Sequence, residues 1–266
     1  MIRDITIGQY YPSNSILHRL DPRVKIMCTL LYLISLFLFK NIWGYGIATI
    51  FLIGVIVLSK VPFKYIVKGL RPVVVLLMIT VLFNLFLTSN GKVIVEFGVL
   101  KITDEGLKFA IFMAIRLIYL ILGSSIMTFT TTPNALTDGI ESLLSPLGII
   151  KVPVHEIAMM MSIALRFIPI LLEETDKIMK AQIARGADLE NGNIVKKAKA
   201  MIPILVPLFV SAFRRANDLA MAMEARCYQG GAGRTKMKPL KYQYKDYLAY
   251  LFVGAYVVLA IWIGNI

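Results

Sequence analysis

Two arginines close helical stretches in a repeated short motif. Ala184-Arg185-Gly186 ends a stretch from about 155 to 185, and Ala225-Arg226-Cys227 ends a second stretch from about 194 to 228. A guanidinium is planar and carries five donors, so it binds a carboxylate or backbone carbonyls at two points, which lysine does less well. The chemistry that these residues offer is recognition, and we expect each motif to be a docking tip.

The two stretches resemble one another beyond the motif. Aligned without gaps, residues 173–186 and 214–227 place Ala181 over Ala222 and Ile178 over Leu219. An arginine near a helix C-terminus, followed by glycine, is also an ordinary helix cap, because the dipole favours a cation there and glycine adopts the left-handed turn. A single copy fits that alternative, whereas its recurrence favours a shared docking role.

The composition requires a membrane. The 266 residues are 58% hydrophobic and 17% charged, more apolar than the core of a soluble protein of this length. A spanning helix needs about 20 mostly apolar residues. Five stretches qualify: 25–40, 42–59, 66–88, 106–131 and 246–264. No apolar run precedes the first of them and no small-residue cleavage site follows it, so we expect no removable signal peptide.

The predicted fold is an all-α, polytopic integral membrane protein with about five transmembrane helices and long amphipathic cytoplasmic helices. Residues 1–131 are expected to hold four spans, 132–245 a cytoplasmic or interfacial helical region, and 246–266 a C-terminal span. Residues 132–150 are expected to form a short interfacial helix. Alternation from Val93 to Thr103 around Gly98 predicts a small hairpin.

Basic residues set the orientation. Lysines and arginines cluster before the first span and between the second and third, which predicts that these loops and the N-terminus are cytoplasmic. Residues 132–245 then lie inside and hold 16 of the 29 basic residues. Topology alone explains this charge, and attraction to anionic lipid or an acidic partner is the alternative. Nucleic acid is not expected, because no basic stripe interleaved with aromatics occurs.

Other residues carry structural interpretations. Asp21 and Pro22 predict a helix N-cap with proline at the first position, and Arg23 and Lys25 predict an interfacial anchor for the first span. Arg116, inside the fourth span, is expected to point inward or reach towards the interface. Cys28 and Cys227 are not expected to form a disulfide, since one lies in a span and the other in a basic loop.

Methionines are frequent in the helical region between 155 and 225. Flexible thioethers suit a surface that must repack against different partners, and they serve equally as filler between packed helices. Both interpretations stay open. The residues proposed for a contact surface are Met159, Met160, Met161, Met179, Met221 and Met223.

Catalytic and metal-binding patterns are missing from the sequence. His155-Glu156 is not followed by a second histidine at the spacing of a zinc motif, and His18 is remote in sequence. We expect no metal site and no catalytic residue. The sequence also contains no Gly-x-x-x-x-Gly-Lys-[Ser/Thr] loop, so any P-loop ATPase must be another subunit.

Several motifs, in this order along the chain, resemble one family. They are Leu20-Asp21-Pro22-Arg23-Val24-Lys25, Thr130-Thr131-Thr132-Pro133, Leu143-Leu144-Ser145-Pro146-Leu147, Leu165-Arg166-Phe167-Ile168-Pro169 and the two arginine tips. Together they look like the transmembrane T component of energy-coupling factor (ECF) transporters, the EcfT family. The likeness covers nearly the whole chain.

The resemblance implies a non-catalytic subunit of a vitamin or metal-ion importer in the bacterial cell membrane. Two ABC ATPase subunits would bind ATP, a small and exchangeable membrane S component would bind the substrate, and this chain would join them without a cofactor of its own. It also implies that Ala184, Arg185, Gly186, Ala225 and Arg226 dock in the ATPases. The sequence departs from the family at Cys227, where glycine is usual.

Two other classes stay open. An ordinary ABC permease would also insert helices into ATPase grooves, but it would need no separate substrate-binding membrane subunit. A polytopic membrane transferase is the less favoured alternative, because neither clustered aspartates nor a Gly-x-Ser-x-Gly turn occurs. Copurification with ATPases and a small membrane protein would separate these classes.

Overall fold

The structure is a computed structural model that describes residues 10–39, 41–87, 93–97, 100–187, 193–231 and 237–264. These ranges contain eight α-helices and one hairpin. The α-helices are α1 Pro22–Leu38, α2 Ile42–Ser59, α3 Phe63–Leu87, α4 Asp104–Thr130, α5 Pro133–Leu144, α6 Val154–Ala184, α7 Ile194–Ala225 and α8 Tyr244–Gly264. Residues Leu17–Arg19 and Ser145–Ile150 form short 3-10 helices.

The predicted hairpin is confirmed. Strand β1 (Val93–Phe97) pairs antiparallel with β2 (Leu100–Thr103), and Val93 lies opposite Thr103. Gly98, on which the prediction centred, lies outside the described residues. Thr103 then caps α4 by accepting the Gly106 N–H at 3.1 Å, so the hairpin leads directly into that helix.

The helices confirm a mainly α-helical, multi-pass membrane protein. Within the described residues, α2, α4, α6 and α8 are long and apolar enough to span a membrane, and α3 adds a fifth if its two segments, bent by 55°, count as one span. Helix α1 has 17 residues, slightly short of the usual span. Helix α6, which the sequence analysis placed on the cytoplasmic side, is among the helices that could span a membrane by length and composition. Its cytoplasmic location stays a prediction.

The described chain divides into two compact units. One, here called the bundle unit, comprises residues 8–140 and 240–266, and the other, the two-helix unit, includes 141–239. The bundle unit is built around α1, α2, α4 and α8, whose buried side chains include Tyr32, Leu36 and Ala48. Ser35 and Tyr256 share a hydrogen bond of 3.1 Å inside this core.

Arg116 points inward, as expected for an arginine in a membrane-spanning helix. Its Nε donates to the Tyr45 hydroxyl at 3.1 Å, and its guanidinium lies 5.4 Å from the Phe37 ring centre. Both partners belong to neighbouring helices of the bundle unit. The charge therefore has a polar and an aromatic partner in place of lipid.

Candidate functional site

The first arginine tip ends α6 in a Schellman motif. The Gly186 N–H donates to the Ile183 carbonyl at 2.9 Å, and the Ala187 N–H donates to the Gln182 carbonyl at 3.0 Å. Gly186 has a φ of 87°, in the left-handed region that glycine adopts without a side-chain clash. The helix ends here because its last carbonyls are satisfied locally, which leaves Arg185 at the C-cap position.

The second tip has the same geometry with a different residue at the turn. The Cys227 N–H donates to the Glu224 carbonyl at 2.8 Å, and the Tyr228 N–H donates to the Met223 carbonyl at 3.0 Å. Cys227 has a φ of 55°, so a cysteine occupies the left-handed position that glycine fills at the other tip. The departure from the family pattern at Cys227 therefore leaves the cap intact.

Both tips present an uncommitted guanidinium. All six residues of the two motifs are exposed. Within the described part of the chain, the side chains of Arg185 and Arg226 make no hydrogen bond, ion pair or ring contact that would occupy their donors. A cap that satisfies the backbone without using the arginine side chain leaves that side chain available for a partner.

Helices α6 and α7 pack antiparallel. Arg215 Nη2 donates to Glu174 Oε2 at 2.7 Å, and Gln182 Nε2 donates to the Pro203 carbonyl at 3.5 Å. The later residue of α6 therefore meets the earlier residue of α7, which makes the two helices antiparallel. Glu174 and Arg215 are equivalent positions in the gap-free alignment of the two stretches. Equivalent positions that meet lie on an approximate two-fold axis, as in an isologous contact.

This arrangement fixes the directions of the tips. Arg185 follows Glu174 by eleven residues, and Arg226 follows Arg215 by the same number. At about 1.5 Å of rise per residue, each tip lies ~16 Å from the crossing, in opposite directions, so the tips are separated by at most ~33 Å. The two-helix unit thus presents one arginine at each end.

His155, at the start of α6, makes a polar contact with Glu141 of α5 and packs against the segment that follows the second tip. His155 Nδ1 lies 2.9 Å from Glu141 Oε1, and the His155 ring packs against Gly231. A Cβ built on Gly231 would lie 2.4 Å from His155 Cδ2, so only glycine fits without displacing the ring. The chain beyond Arg226 is therefore held against the base of α6. The sequence offered no signal for this contact.

The motif that begins the first span forms a second polar cluster, in the bundle unit. Asp21 caps α1 by accepting the Arg23 N–H at 2.9 Å, and Pro22 is the first helical residue. The Arg23 side chain returns to Asp21 through Nη2 at 2.9 Å and lies 4.0 Å over the Tyr242 ring. The predicted N-cap is confirmed.

Two residues outside the N-cap pair complete the cluster. Asp246, which is 2% exposed, accepts the Asp21 N–H at 2.9 Å and the Gln243 N–H at 2.7 Å. Lys25 Nζ donates to the Thr130 carbonyl at 2.8 Å and so ties α1 to the end of α4. Sequence analysis missed Asp246, because its partner lies 225 residues away.

Electrostatics in this cluster favour the ionised carboxylate. Burial acts to raise the pKa of Asp21, but the hydrogen bonds from Arg23, with the charges of Arg23 and Lys25, outweigh it and hold that pKa below its usual value. Asp21 is therefore a charged N-cap at neutral pH, where a carboxylate is favoured by the helix dipole.

The methionines proposed for a contact surface differ in exposure. Met160, Met161 and Met221 are at least half exposed, and Met159, Met179 and Met223 are intermediate. An exposed apolar face of α7 was not singled out from the sequence. Its residues recur at helical spacing and line an open groove: Val206, Phe209, Val210, Phe213 and Met221.

Neither cysteine is bonded and no metal cluster occurs in the described part of the chain. Cys28 and Cys227 are both free thiols. Among the residues that the structure describes, no group of three His, Cys, Asp or Glu side chains is placed to hold a metal ion. The tips instead offer exposed guanidinium groups that can bind carboxylates or carbonyl groups.

Comparison with known proteins identifies the family. Residues 13–237 match the family model CbiQ, described as cobalt transport protein. The chain is 55% identical over 262 residues to the energy-coupling factor transporter transmembrane protein EcfT of Clostridium kluyveri, covering 98% of this chain and 97% of the relative. It is 50% identical over 246 residues to the protein of the same name from Bacillus subtilis, covering 92% and 93%. Similarity of this extent shows that the chain belongs to the EcfT family of energy-coupling factor transporter transmembrane proteins.

Proposed function

We propose that this chain couples ATP hydrolysis by two cytosolic ATPase subunits to uptake of a vitamin or other micronutrient through a membrane S component. The single observation that carries the proposal is the pair of exposed, unpaired arginines at opposite ends of one antiparallel helix pair. Two equivalent tips facing apart suit two equivalent partner molecules, whereas a single docking site needs only one tip.

The role of each tip follows from its chemistry. A guanidinium on a rigid helix end enters a groove with little loss of backbone entropy, and it binds a carboxylate or carbonyl pair bidentately. The caps at Gly186 and Cys227 hold each arginine at a fixed position relative to its helix. When ATP closes the partners on one another, both tips move with them and the helices transmit that displacement.

The S component is proposed to contact the exposed apolar and methionine-rich surface of α6 and α7. Phe209 and Phe213 are 62% and 69% exposed, so most of each aromatic side chain is not covered by other residues of this chain. Exposed apolar patches of this kind mark interaction sites, and flexible methionines allow different partners to be accepted. In this proposal the S component selects the substrate.

The proposal is tested by replacing Arg185 and Arg226 with Ala, singly and together, in the complete transporter. A central buried arginine typically contributes at least ~2 kcal/mol to binding, so each change should weaken its own ATPase contact by about 30-fold. The double variant should lose ATPase copurification and uptake. Lysine variants should recover only part of the binding, because an ammonium lacks the planar fork.

Arg19→Ala is the matched control, since Arg19 is an exposed arginine of the bundle unit that belongs neither to the tips nor to the α7 groove. This variant should assemble and transport normally. A double tip variant that assembles and transports like the wild type would contradict the proposal. Purification without any separate small membrane protein would instead favour an ordinary ABC permease.

A further inference from the structure

An apolar crevice in the bundle unit has no role in the proposed coupling. It has a volume of about 550 Å³ and opens among α1, α2, α4 and α8. Its walls are almost entirely aliphatic and aromatic, with Val24, Leu52, Ile126 and Phe252 among them. The volume lies in the range of small-molecule sites. A space of this kind, in a protein surrounded by bilayer, favours an apolar occupant.

One end of the crevice is cationic. Lys25 and Lys245 line it at the starts of α1 and α8, which are joined there by the Asp21–Asp246 contact. The two lysines differ in availability. Lys25 Nζ donates to the carbonyls of His18 and Thr130, whereas Lys245 is exposed and has no side-chain partner among the described residues.

The carboxylates beside this end form no ion pair with Lys245 among the described residues. Asp246 accepts two backbone N–H groups, from Asp21 and Gln243, and Asp21 is held by Arg23. Both acids are therefore already occupied by other donors. Lys245 therefore keeps spare N–H donors at the mouth of an apolar space.

Along α8 the crevice runs from Lys245 to Val253, a rise of ~12 Å at about 1.5 Å per residue. Its cationic mouth and its apolar interior therefore follow one another along the axis of a single helix.

We propose that this crevice binds an anionic phospholipid, with an acyl chain in the apolar space and the phosphate group against Lys245. The polarity gradient from Lys245 to Phe252 matches the order of headgroup and chain in such a lipid. Basic pockets between membrane helices recognise anionic headgroups in this way. The proposal rests only on the bundle unit and is independent of the arginine tips.

The test is native mass spectrometry of the purified full-length chain, titrated with phosphatidylglycerol or with phosphatidylcholine of the same acyl composition. The wild type should retain phosphatidylglycerol preferentially. Lys245→Gln should lower that retention about fivefold, the effect expected of one cation near an anionic headgroup. Lys241→Gln, an exposed lysine outside the crevice, is the matched control and should have no effect.

Filling the crevice provides the second arm. Ala249→Phe and Val55→Phe, on different walls, should prevent retention of lipid, whereas Ala255→Phe, on an exposed face of α8, should not. Thermal unfolding identifies any variant that is misfolded, and two filling variants keep the test decisive. Equal retention of both lipids by the wild type would overturn the proposal. So would normal retention by a folded Ala249→Phe variant, or capture of a polypeptide by a photocrosslinker at position 249 in membranes.

Discussion

Substitutions at the left-handed residues of the two helix caps, Gly186 and Cys227, should change the stability of the two tips in opposite directions. A non-glycine residue in the left-handed conformation costs about 1 kcal/mol or more relative to glycine. Gly186 has a φ of 87°, and a Cβ added there would meet no atom within 4 Å, so Gly186→Ala changes the backbone energy alone. Cys227 already bears that cost at a φ of 55°, and Cys227→Gly should remove it.

The magnitude follows from the same energy. Since 1.4 kcal/mol is a factor of ten, a change of about 1 kcal/mol alters the opening equilibrium of a tip about fivefold. Gly186→Ala should open the α6 tip about five times more often, and Cys227→Gly should open the α7 tip about five times less often. The amides that report this are the Schellman donors at 186, 187, 227 and 228.

Hydrogen exchange of the purified chain, resolved by peptide mass spectrometry, measures both effects. Gly148→Ala is the control, because Gly148 also has open space around it but no positive φ. It should leave both tips unchanged. Exchange that changes in the same direction at both tips, or at neither, would refute the argument that the left-handed residue limits cap stability.

Three further predictions concern the polar contacts. Asp246→Asn should destabilise the protein by about 2–3 kcal/mol, because each carboxyl oxygen of buried Asp246 accepts a backbone N–H and the amide would leave one of those N–H groups facing an NH2 donor. Exposed Asp218→Asn should be neutral in thermal unfolding. Glu174→Arg and Arg215→Glu should each cost up to ~1 kcal/mol in unfolding free energy, since the side chains are only 23% and 39% exposed, and the double exchange should restore most of it. Because the pKa of Asp21 is lowered in the folded state, its stabilisation is complete above its unfolded pKa of about 3.9 and is lost as pH falls further. Acid titration of unfolding should lose that dependence in Asp21→Asn, and an unchanged profile would contradict the assignment.

Local features of this fold could be predicted from sequence. The ends of α6 and α7 follow from an arginine and a small residue after an amphipathic stretch, and the structure places them within a few residues of the prediction. The N-cap at Asp21 and the hairpin near Val93 depend only on neighbouring residues. Each involves interactions that span fewer than about a dozen residues, where propensity and patterning are informative.

Long-range features could not be predicted in this way. From the sequence, Asp246 is only the polar first residue of the predicted C-terminal span. No neighbouring residue indicates that it accepts the Asp21 N–H. The Gly231 contact with His155 and the Glu174–Arg215 ion pair likewise depend on how helices pack. Cys227 is informative in another way, because only the backbone geometry shows that a cysteine can replace glycine at that turn.

The bond between Asp246 and Asp21 has a consequence for biosynthesis. The acceptor leaves the ribosome 225 residues after the donor. At about 5–20 residues per second, the amide waits roughly 10–45 s before its native acceptor exists. During that interval α1 can be inserted into the membrane but cannot form its hydrogen bond to Asp246. The bundle unit is therefore completed only after α8 has been synthesised, and not when α1 is inserted.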